Sequence, residues 1–309
     1  MAARTILRIR PYCRMANLMG QLMFCLAVQK RCQQPIDIEG YDIPEWSIKT
    51  PTTDLPRSNL SLGDHLTRLV PVCWMIDTFR PALVHMDGLT FRQANFSDIG
   101  ELTQFFPFEP PTLTVPDDTL LVHIRAGDVA ALSHHLYGPL PISYYKHLHE
   151  MTGLNLAFIG ELEDTDYIRS LRRALPRADF LNGGTPREDF QTIRSAKNVA
   201  IAVSTFSWMA SYLSRAARNI HLPLAGLFDP LQSPKTDFIP SKDKRFIVHA
   251  IPRQAWRKRY DDFNETKHQF RMVSKVEIAT LKLSATIRTT PRSARIHLGL
   301  LRRMIASTR

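Results

Sequence analysis

The most constraining feature of the sequence is a regular alternation of strand-like and helix-like segments between residues 119 and 222. Short apolar runs with β-branched residues are followed there by longer amphipathic stretches. Strands that alternate with helices pair in parallel through right-handed crossovers. We therefore predict an α/β fold with a doubly wound parallel sheet, whose strands cover residues 119–124, 156–159, 178–181, 199–203 and 219–222.

Periodicity and capping residues predict the helices of this half. The clearest start is at Pro186, because Thr185 can cap the helix, proline suits the first helical position and Glu188 completes a capping box. The other helices are predicted over residues 142–149, 165–174 and 205–217.

The first half of the chain carries a looser version of the same pattern. It predicts strands at residues 5–9, 36–38 and 82–86, and helices at residues 21–31 and 60–79, the second of them interrupted by Pro71. A proline-rich stretch at residues 105–116 is typical of a connection between domains. We expect an N-terminal Rossmann-like domain over residues 1–110, a C-terminal Rossmann-like domain over residues 111–245, and a basic, partly helical tail over residues 246–309.

The strand predicted at residues 119–124 ends in a dense group of polar side chains. In an open α/β sheet, ligands bind at the carboxyl ends of the strands. Arg125 could hold a phosphate by a two-pronged hydrogen bond, Gly127 would permit a turn, and Asp128 could orient Arg125. A strand that ends in a solvated loop with a local Arg–Asp pair explains the same residues, and both interpretations stay open.

A second polar group follows the strand predicted at residues 199–203. Ser204 is a natural N-cap, and the N–H groups of Thr205, Phe206 and Ser207 would lie at the positive end of the helix dipole. A helix N-terminus of this kind is a ready anion site. Ordinary capping explains Ser204 but does not require the hydroxyls of Thr205 and Ser207. Because both groups end strands of one predicted sheet, together they suit a diphosphate.

Both groups resemble motifs of a known enzyme family. Residues 123–128, His-Ile-Arg-Ala-Gly-Asp, are similar to the His-x-Arg-Arg-x-Asp motif of the GDP-fucose-dependent fucosyltransferases. That motif occurs in the α-1,2-fucosyltransferases of glycosyltransferase family 11 and in the related nodulation α-1,6-fucosyltransferases. Residues 204–208 resemble the family 11 Ser-Thr-Phe-Ser-Trp motif, and residues 14–22 resemble a degenerate form of its N-terminal Gly-x-Asn-Gln loop. The order and spacing of the three agree over roughly residues 5–230.

The resemblance implies a GT-B-like fold and an inverting transfer of fucose from GDP-fucose to a glycan acceptor, with no metal and no other cofactor. Arg125 would bind the β-phosphate of the donor, and His123 and Asp128 would shape its loop. The donor-binding residues implied are His123, Arg125, Gly127, Ser204, Thr205, Phe206 and Ser207. An acceptor-side loop is implied at Arg14, Asn17, Gly20 and Gln21. The sequence departs from the family at Ala126, which replaces the second arginine of the motif.

Glycosyl transfer leaves negative charge on the departing diphosphate, which Arg125 could stabilise, and it needs a base for the acceptor's proton. Arg125 and Asp128 are therefore the predicted catalytic residues. Residue type alone also admits other bases, namely Asp98, Glu101, His134 and His135. A second function class stays open because of Ala126: a non-catalytic or differently specific nucleotide-sugar-binding protein on the same fold, docked to membrane or nucleic acid by its tail.

Cysteine usage and hydropathy indicate a cytoplasmic protein. The four cysteines show no paired spacing, which favours reduced thiols over a disulfide framework or a zinc site. No signal peptide is recognised, and no stretch reaches the roughly 18–20 apolar residues that span a bilayer.

The positive charge is concentrated in the last part of the chain. Residues 242–309 contain 17 Lys and Arg against 5 Asp and Glu, whereas the whole chain has a net charge of +11. The rest of the chain is therefore close to neutral. A basic tail suits an anionic membrane surface, here the inner face of the membrane, better than nucleic acid, although a soluble extension explains the same charge.

Overall fold

The structure is a computed structural model, and the residues described are 4–11, 14–53, 60–63, 68–89, 91–96, 102–127, 136–252 and 269–290. The chain divides into two compact units. The first contains the described residues up to Phe106, the segment Pro234–Phe238 and the described residues from Lys282 onward. The second contains Pro107–Ser233 and Ile239–Leu281. Each unit is built on a sheet of parallel strands, so the predicted α/β class with two Rossmann-like parallel sheets is confirmed.

The first unit has a sheet of four parallel strands and a small antiparallel hairpin. Its strands are β1 (Thr5–Ile9), β2 (Ile36–Glu39), β3 (Asp42–Ile43), β4 (Ile48–Lys49), β5 (Ser61–Leu62) and β6 (Leu83–Met86). The order in the sheet is β2-β1-β6-β5, and β3 pairs with β4. The helices are α1 (Met15–Arg31) and α2 (Leu69–Phe79), with single 3₁₀ turns at Pro44–Trp46 and Gln93–Asn95.

Both helices of this unit differ from the prediction. α1 begins at Met15 rather than at Gln21, because the apolar side chains from Met15 onward continue the buried side of the helix. α2 begins at Leu69 rather than at residue 60, and residues 61–62 form β5 instead. Pro71 lies in the first turn of α2, where a missing N–H costs no helical hydrogen bond.

The second unit has a sheet of seven strands. They are β7 (Thr119–Ile124), β8 (Asn155–Gly160), β9 (Asp179–Phe180), β10 (Asn198–Ala200), β11 (Asn219–Leu224), β12 (Phe246–Ala250) and β13 (Arg271–Met272). The order is β13-β12-β11-β10-β7-β8-β9, and of the described strands in this sheet only the edge strand β13 is antiparallel to its neighbour. The helices are α3 (Ile142–Thr152), α4 (Asp166–Ala174), α5 (Pro186–Ser195) and α6 (Thr205–Tyr212), with a 3₁₀ turn at Gly226–Phe228. Residues 275–290 form a further helix, α7, of which residues 275–281 belong to this unit and residues 282–290 to the first.

The start predicted for α5 is confirmed in detail. The Thr185 hydroxyl accepts the Glu188 N–H at 3.3 Å, and the Glu188 carboxylate accepts the Thr185 N–H at 2.6 Å. α6 is shorter than predicted, because the Ser214 hydroxyl accepts the N–H groups of Ala216 at 3.1 Å and Ala217 at 2.9 Å. These local bonds replace the helical bonds of a longer α6.

The strand β12 was not predicted. It pairs in parallel with β11, with Leu222 opposite Val248. Its apolar run is short, and charged residues at 242–245 precede it, so the local pattern resembles the beginning of a polar tail. Of the tail that was expected to be partly helical, residues 253–268 and 291–309 lie outside the described residues.

Candidate functional site

The strand order of the second unit reverses between β7 and β10. The chain runs from β7 to β8 and β9 on one side, and then returns to β10, β11 and β12 on the other. β7 and β10 are parallel neighbours, with Val122 opposite Ala200. Such a reversal opens a crevice at the carboxyl ends of the two strands, which is where doubly wound sheets bind ligands. The two polar groups selected from the sequence therefore flank one crevice.

An aromatic contact joins the two groups directly. The rings of His123, at the end of β7, and Phe206, in the first turn of α6, stack with centroids 5.4 Å apart and an interplanar angle of 28°. Phe190 of α5 packs edge-on against Phe206, with centroids 5.6 Å apart. Burial, followed by the charge of Arg125, lowers the pKa of His123 to about 3. The imidazole is thus neutral near pH 7.

Arg125 is paired with a carboxylate that the sequence analysis missed. Glu161 directly follows β8, and its Oε1 lies 2.8 Å from Nη1 of Arg125. Its Oε2 accepts the N–H groups of Ala126 at 2.9 Å and Gly127 at 2.6 Å. Glu161 therefore fixes both the guanidinium and the backbone of the β7 loop. The orienting role had been predicted for Asp128, which lies outside the described residues.

Two glycines beside this loop have close neighbours, and at one of them a side chain is excluded. A Cβ on Gly127 would lie 3.1 Å from Oε2 of Glu161. At Gly160, φ is +112°, and a Cβ would lie only 2.5 Å from the carbonyl oxygen of Ile124 and 3.0 Å from the ring of His123. The ends of β7 and β8 are therefore packed too tightly for any side chain at residue 160.

The N-terminus of α6 has the cap that was predicted. The Ser204 hydroxyl accepts the Phe206 N–H at 3.2 Å, and the Ser204 carbonyl accepts the Trp208 N–H at 3.2 Å. Thr205 is partly exposed, whereas Ser207 is fully buried. In the described part of the chain, the Ser207 hydroxyl finds no hydrogen-bond partner. A helix dipole, first-turn N–H groups and a buried hydroxyl thus lie together beside the crevice.

The residues implied as an acceptor-side loop lie in a helix instead. Arg14 is the residue before α1, and Asn17, Gly20 and Gln21 belong to α1 itself. The helix continues through them because its side chains pack inward: a Cβ on Gly20 would lie 2.7 Å from the ring of Phe91. Prediction of a loop here was therefore wrong.

Gln21 has a structural role in the first unit. It is fully buried, and its Nε2 donates to the carbonyl oxygens of Arg10 at 3.1 Å, Gly88 at 3.3 Å and Met86 at 3.4 Å. These acceptors lie at the carboxyl ends of β1 and β6, where the order of the first sheet reverses. Gln21 therefore holds the two strand ends together.

The candidate bases lie outside the described residues, namely Asp98, Glu101, Asp128, His134 and His135. Among the residues that are described, no group of three or more His, Cys, Asp or Glu side chains is arranged to hold a metal ion. Over the same residues, no helix is both long enough and apolar enough to cross a membrane.

No family model matches the sequence. No curated protein matches it either. Among solved structures, the chain is similar to the ADP-heptose lipopolysaccharide heptosyltransferase II of E. coli, with 13% sequence identity and a TM-score of 0.41. The similarity covers 93% of this chain and 99% of that chain. A likeness at this TM-score establishes neither a shared fold nor a shared activity.

Proposed function

We propose that this chain is a glycosyltransferase that binds a nucleotide diphosphate sugar in the crevice between β7 and β10 and transfers the sugar to a glycan acceptor. The observation that carries the proposal is the position of Arg125 and the N-terminus of α6 on opposite sides of one strand-order reversal. A guanidinium and a helix N-terminus are both phosphate-binding groups, and here they follow the two neighbouring strands at which the order reverses.

The buried hydroxyl of Ser207 supports the same proposal independently. A buried polar atom without a partner costs free energy, and such atoms commonly mark the place of a ligand or an ion. Ser207 lies in the first turn of α6, next to the N–H groups that would bind an anion. We assign Ser204, Thr205, Phe206 and Ser207 to the nucleotide diphosphate.

Glu161 prepares Arg125 for the transfer step. A guanidinium carries a planar set of N–H donors, so one carboxylate contact can orient it while it binds a phosphate. As the bond from sugar to diphosphate breaks, negative charge grows on the leaving group, and donors already in position stabilise that charge. This electrostatic role needs no metal ion, so we propose a metal-independent, inverting transfer with no cofactor.

GDP-fucose is the donor we propose first, because His123, Arg125 and residues 204–208 match the fucosyltransferase motifs. Ala126 is the position that would alter the donor. Its side chain is buried and its N–H is held by Glu161. An arginine side chain would therefore not fit where the Ala126 side chain lies. This favours a donor-binding loop whose conformation differs from that of the family. A nucleotide-sugar-binding protein without transfer activity is the second candidate that Ala126 favours.

The first prediction tests the donor site. Calorimetry in EDTA should detect binding of GDP and GDP-fucose, and Arg125→Ala should weaken it. Hydrogen bonds to a charged group contribute roughly 1.5–3 kcal/mol each, so a lost two-pronged contact should lower turnover about a hundredfold or more. Arg125→Lys should restore only part of the lost turnover, because an ammonium cannot form the planar two-pronged contact of a guanidinium.

Arg271→Ala is the matched control. Arg271 is also ion-paired, with Glu277 at 2.7 Å, but it lies on the edge strand β13, with three strands between it and β7. Its loss should leave donor binding unchanged. If the Arg125→Ala variant folds, and both its affinity for GDP-fucose and its turnover rate stay within a few-fold of the wild-type values, the proposed donor site is contradicted. Binding without transfer to any glycan and without hydrolysis would favour the second candidate.

An anionic membrane surface is the further partner we propose. The helix α7 exposes Val276 (76%), Leu283 (62%) and Ile287 (64%), which recur on one side of the helix, while Ile278 and Ala285 are buried on the other. A stripe of exposed aliphatic side chains in the most basic part of the chain suits a surface of acidic lipids. The protein would then be cytoplasmic and peripheral on the inner face of the membrane.

A further inference from the structure

Two cysteines that are far apart in the sequence meet in the first unit. Cys32 directly follows α1, and Cys73 belongs to the second turn of α2, 41 residues later. Both are free thiols, and they lie within hydrogen-bonding distance of each other. Cys32 is partly exposed, whereas Cys73 is buried. The sequence predicted reduced thiols, because the four cysteines show no paired spacing.

A separate set of hydrogen bonds holds the two thiols together. Oδ1 of Asp77 accepts the N–H groups of Gln33 at 2.9 Å and Gln34 at 3.1 Å. Asp77 lies one helical turn after Cys73, so it shares the side of α2 that carries that thiol. These bonds hold the chain segment that begins with Cys32 against the side of α2 that carries Cys73. The two thiols are therefore kept close together although no covalent bond joins them.

The hydrogen bond between the pair favours one thiolate, against the opposing effects of burial and of the charge on Asp77. A hydrogen bond from Cys32 lowers the pKa of Cys73, and the cationic Arg31 acts in the same direction. The same hydrogen bond and burial raise the pKa of Cys32. One sulfur of the pair is thus the better nucleophile, and its neighbour retains a proton. Cys25 differs, since full burial alone raises its pKa and makes it inert.

We propose that Cys32 and Cys73 form a reversible oxidative modification site, at which a peroxide converts the two thiols into a disulfide between the end of α1 and α2. This goes beyond the sugar transfer proposed above and does not depend on it. The thiolate of Cys73 attacks one oxygen of the peroxide, the O–O bond breaks, and hydroxide leaves, so that Cys73 becomes a sulfenic acid. Hydrogen peroxide is small and uncharged, which allows it to reach the buried sulfur of Cys73 beside the partly exposed Cys32.

The second step closes the disulfide. The sulfur of Cys32 attacks the sulfenic sulfur of Cys73, the S–O bond breaks, and water leaves with the proton of Cys32. The two sulfurs together lose one pair of electrons, which the peroxide gains on reduction to water. A dithiol reductant returns both thiols by exchange. The disulfide would join α1, which carries Gln21, covalently to α2.

The test oxidises the full-length protein with hydrogen peroxide, alkylates the remaining thiols and maps the products by mass spectrometry. We expect two of the four cysteines to lose their thiols, a peptide pair cross-linked through Cys32 and Cys73, and full reversal by dithiothreitol. Closing this loop should also raise the midpoint of thermal unfolding by about 5–10 °C, because the link restricts the unfolded chain.

Matched variants separate this pair from the other thiols. Cys32→Ser and Cys73→Ser should each abolish the cross-link and the shift of the unfolding midpoint, whereas Cys25→Ser and Cys13→Ser should retain both. A cross-link through Cys13 or Cys25, a disulfide between two chains, or oxidation that stops at methionine with all thiols intact would overturn the proposal. The cross-link map of the wild-type protein decides the matter even where a variant fails to fold.

Discussion

At the scale of single residues, Glu161 determines the geometry of the β7 loop. Its carboxylate accepts the N–H groups of Ala126 and Gly127 and pairs with the guanidinium of Arg125. These three groups could each bind an external anion, and Glu161 holds all of them in place. Its charge also offsets that of Arg125. The positive potential of the crevice therefore depends more on the N-terminus of α6 than the sequence analysis assumed, and Arg125 acts chiefly through directed hydrogen bonds.

Gly160 provides a test of how tightly this corner is packed. Gly160→Ala should lower the free energy of unfolding by about 3 kcal/mol or more, because the new Cβ would meet the carbonyl oxygen of Ile124 at 2.5 Å at a φ of +112°. Gly153→Ala is the matched control, since Gly153 also has a positive φ, +66°, but has open space around it. Its cost should be about 1–2 kcal/mol, from the left-handed conformation alone.

Urea unfolding of the two variants provides the measurement. Equal losses of stability would mean that Gly160 is needed only for its backbone conformation and that the β7 and β8 ends are not in close contact.

The sequence predicted some of these residues and not others, for physical reasons. Arg125 and Ser204 were found because each directly follows a strand or precedes a helix, where local pattern determines the position. Glu161 occupies an equivalent position after β8, but its partners lie 34 and 35 residues away, and only the pairing of β7 with β8 brings them together. The structural role of Gln21 was not predicted, because the buried carbonyl groups that bind it belong to distant strands.

At the scale of elements, β11 and β12 carry a buried histidine pair that should make stability depend on pH. Nδ1 of His221 lies 2.9 Å from Nε2 of His249, and the ring of Tyr144 packs against His249. Burial, followed by His147, lowers the pKa of His221 to about 4. Burial, followed by His221 and His147, lowers the pKa of His249 to about 3.

Because both pKa values are lowered, the unfolded chain takes up these protons first, near pH 6.5. The stability that the neutral pair contributes is complete above about pH 6.5 and should fall as the pH drops toward 4, by up to about 1.4 kcal/mol per pH unit for each histidine. Urea unfolding between pH 7 and 4.5 measures this slope. His249→Gln should flatten it, and His149→Gln, on the exposed side of α3, should not. An unchanged slope in His249→Gln would contradict the neutral pair.

Elements with signals inside their own sequence were the ones predicted best. β7 is a run of buried residues with proline and aspartate before it, and α5 has a complete capping box, so both starts are correct. β12 failed because its identity depends on its pairing with β11, and not on its own charged surroundings. The predicted end of α6 was wrong because the helix is terminated by hydrogen bonds to the Ser214 hydroxyl. The apolar pattern of the sequence does not show that this hydroxyl accepts them.

At the scale of the whole molecule, alternation of strands and helices predicts parallel sheets but not the order of the strands. The same alternation is compatible with several orders, because the choice depends on which faces of the sheet the helices cover. The second unit adopts the order in which the first strand, β7, lies beside the fourth, β10, and this order creates the crevice between the two motifs. The two motifs could therefore be identified from the sequence. That they follow neighbouring strands of the sheet could not be predicted from it.

The distribution of charge along the molecule leads to the last prediction. Residues 242–309 contain 17 of the 40 basic residues of the chain, and α7 presents its aliphatic stripe within this part. Each basic residue close to an anionic membrane contributes about 1 kcal/mol of attraction, which falls with ionic strength. An apolar stripe that enters the interface adds an attraction that salt does not screen. Both contributions should be measurable as partitioning onto vesicles that contain phosphatidylglycerol.

Replacing the stripe by serine, with Val276→Ser, Leu283→Ser and Ile287→Ser together, should lower this partitioning on the order of a hundredfold, since each half-immersed aliphatic side chain contributes about 1 kcal/mol. Folding should be retained, because all three side chains are exposed. The control replaces Thr280, Thr286 and Thr290 of the same helix by serine, which changes little apolar surface and should leave partitioning unchanged. The difference between the two variants should persist in high salt, because it comes from apolar contact and not from charge. If the variant with Val276, Leu283 and Ile287 replaced by serine partitions as the wild type does, α7 does not contact the membrane. The basic charge alone would then account for any binding.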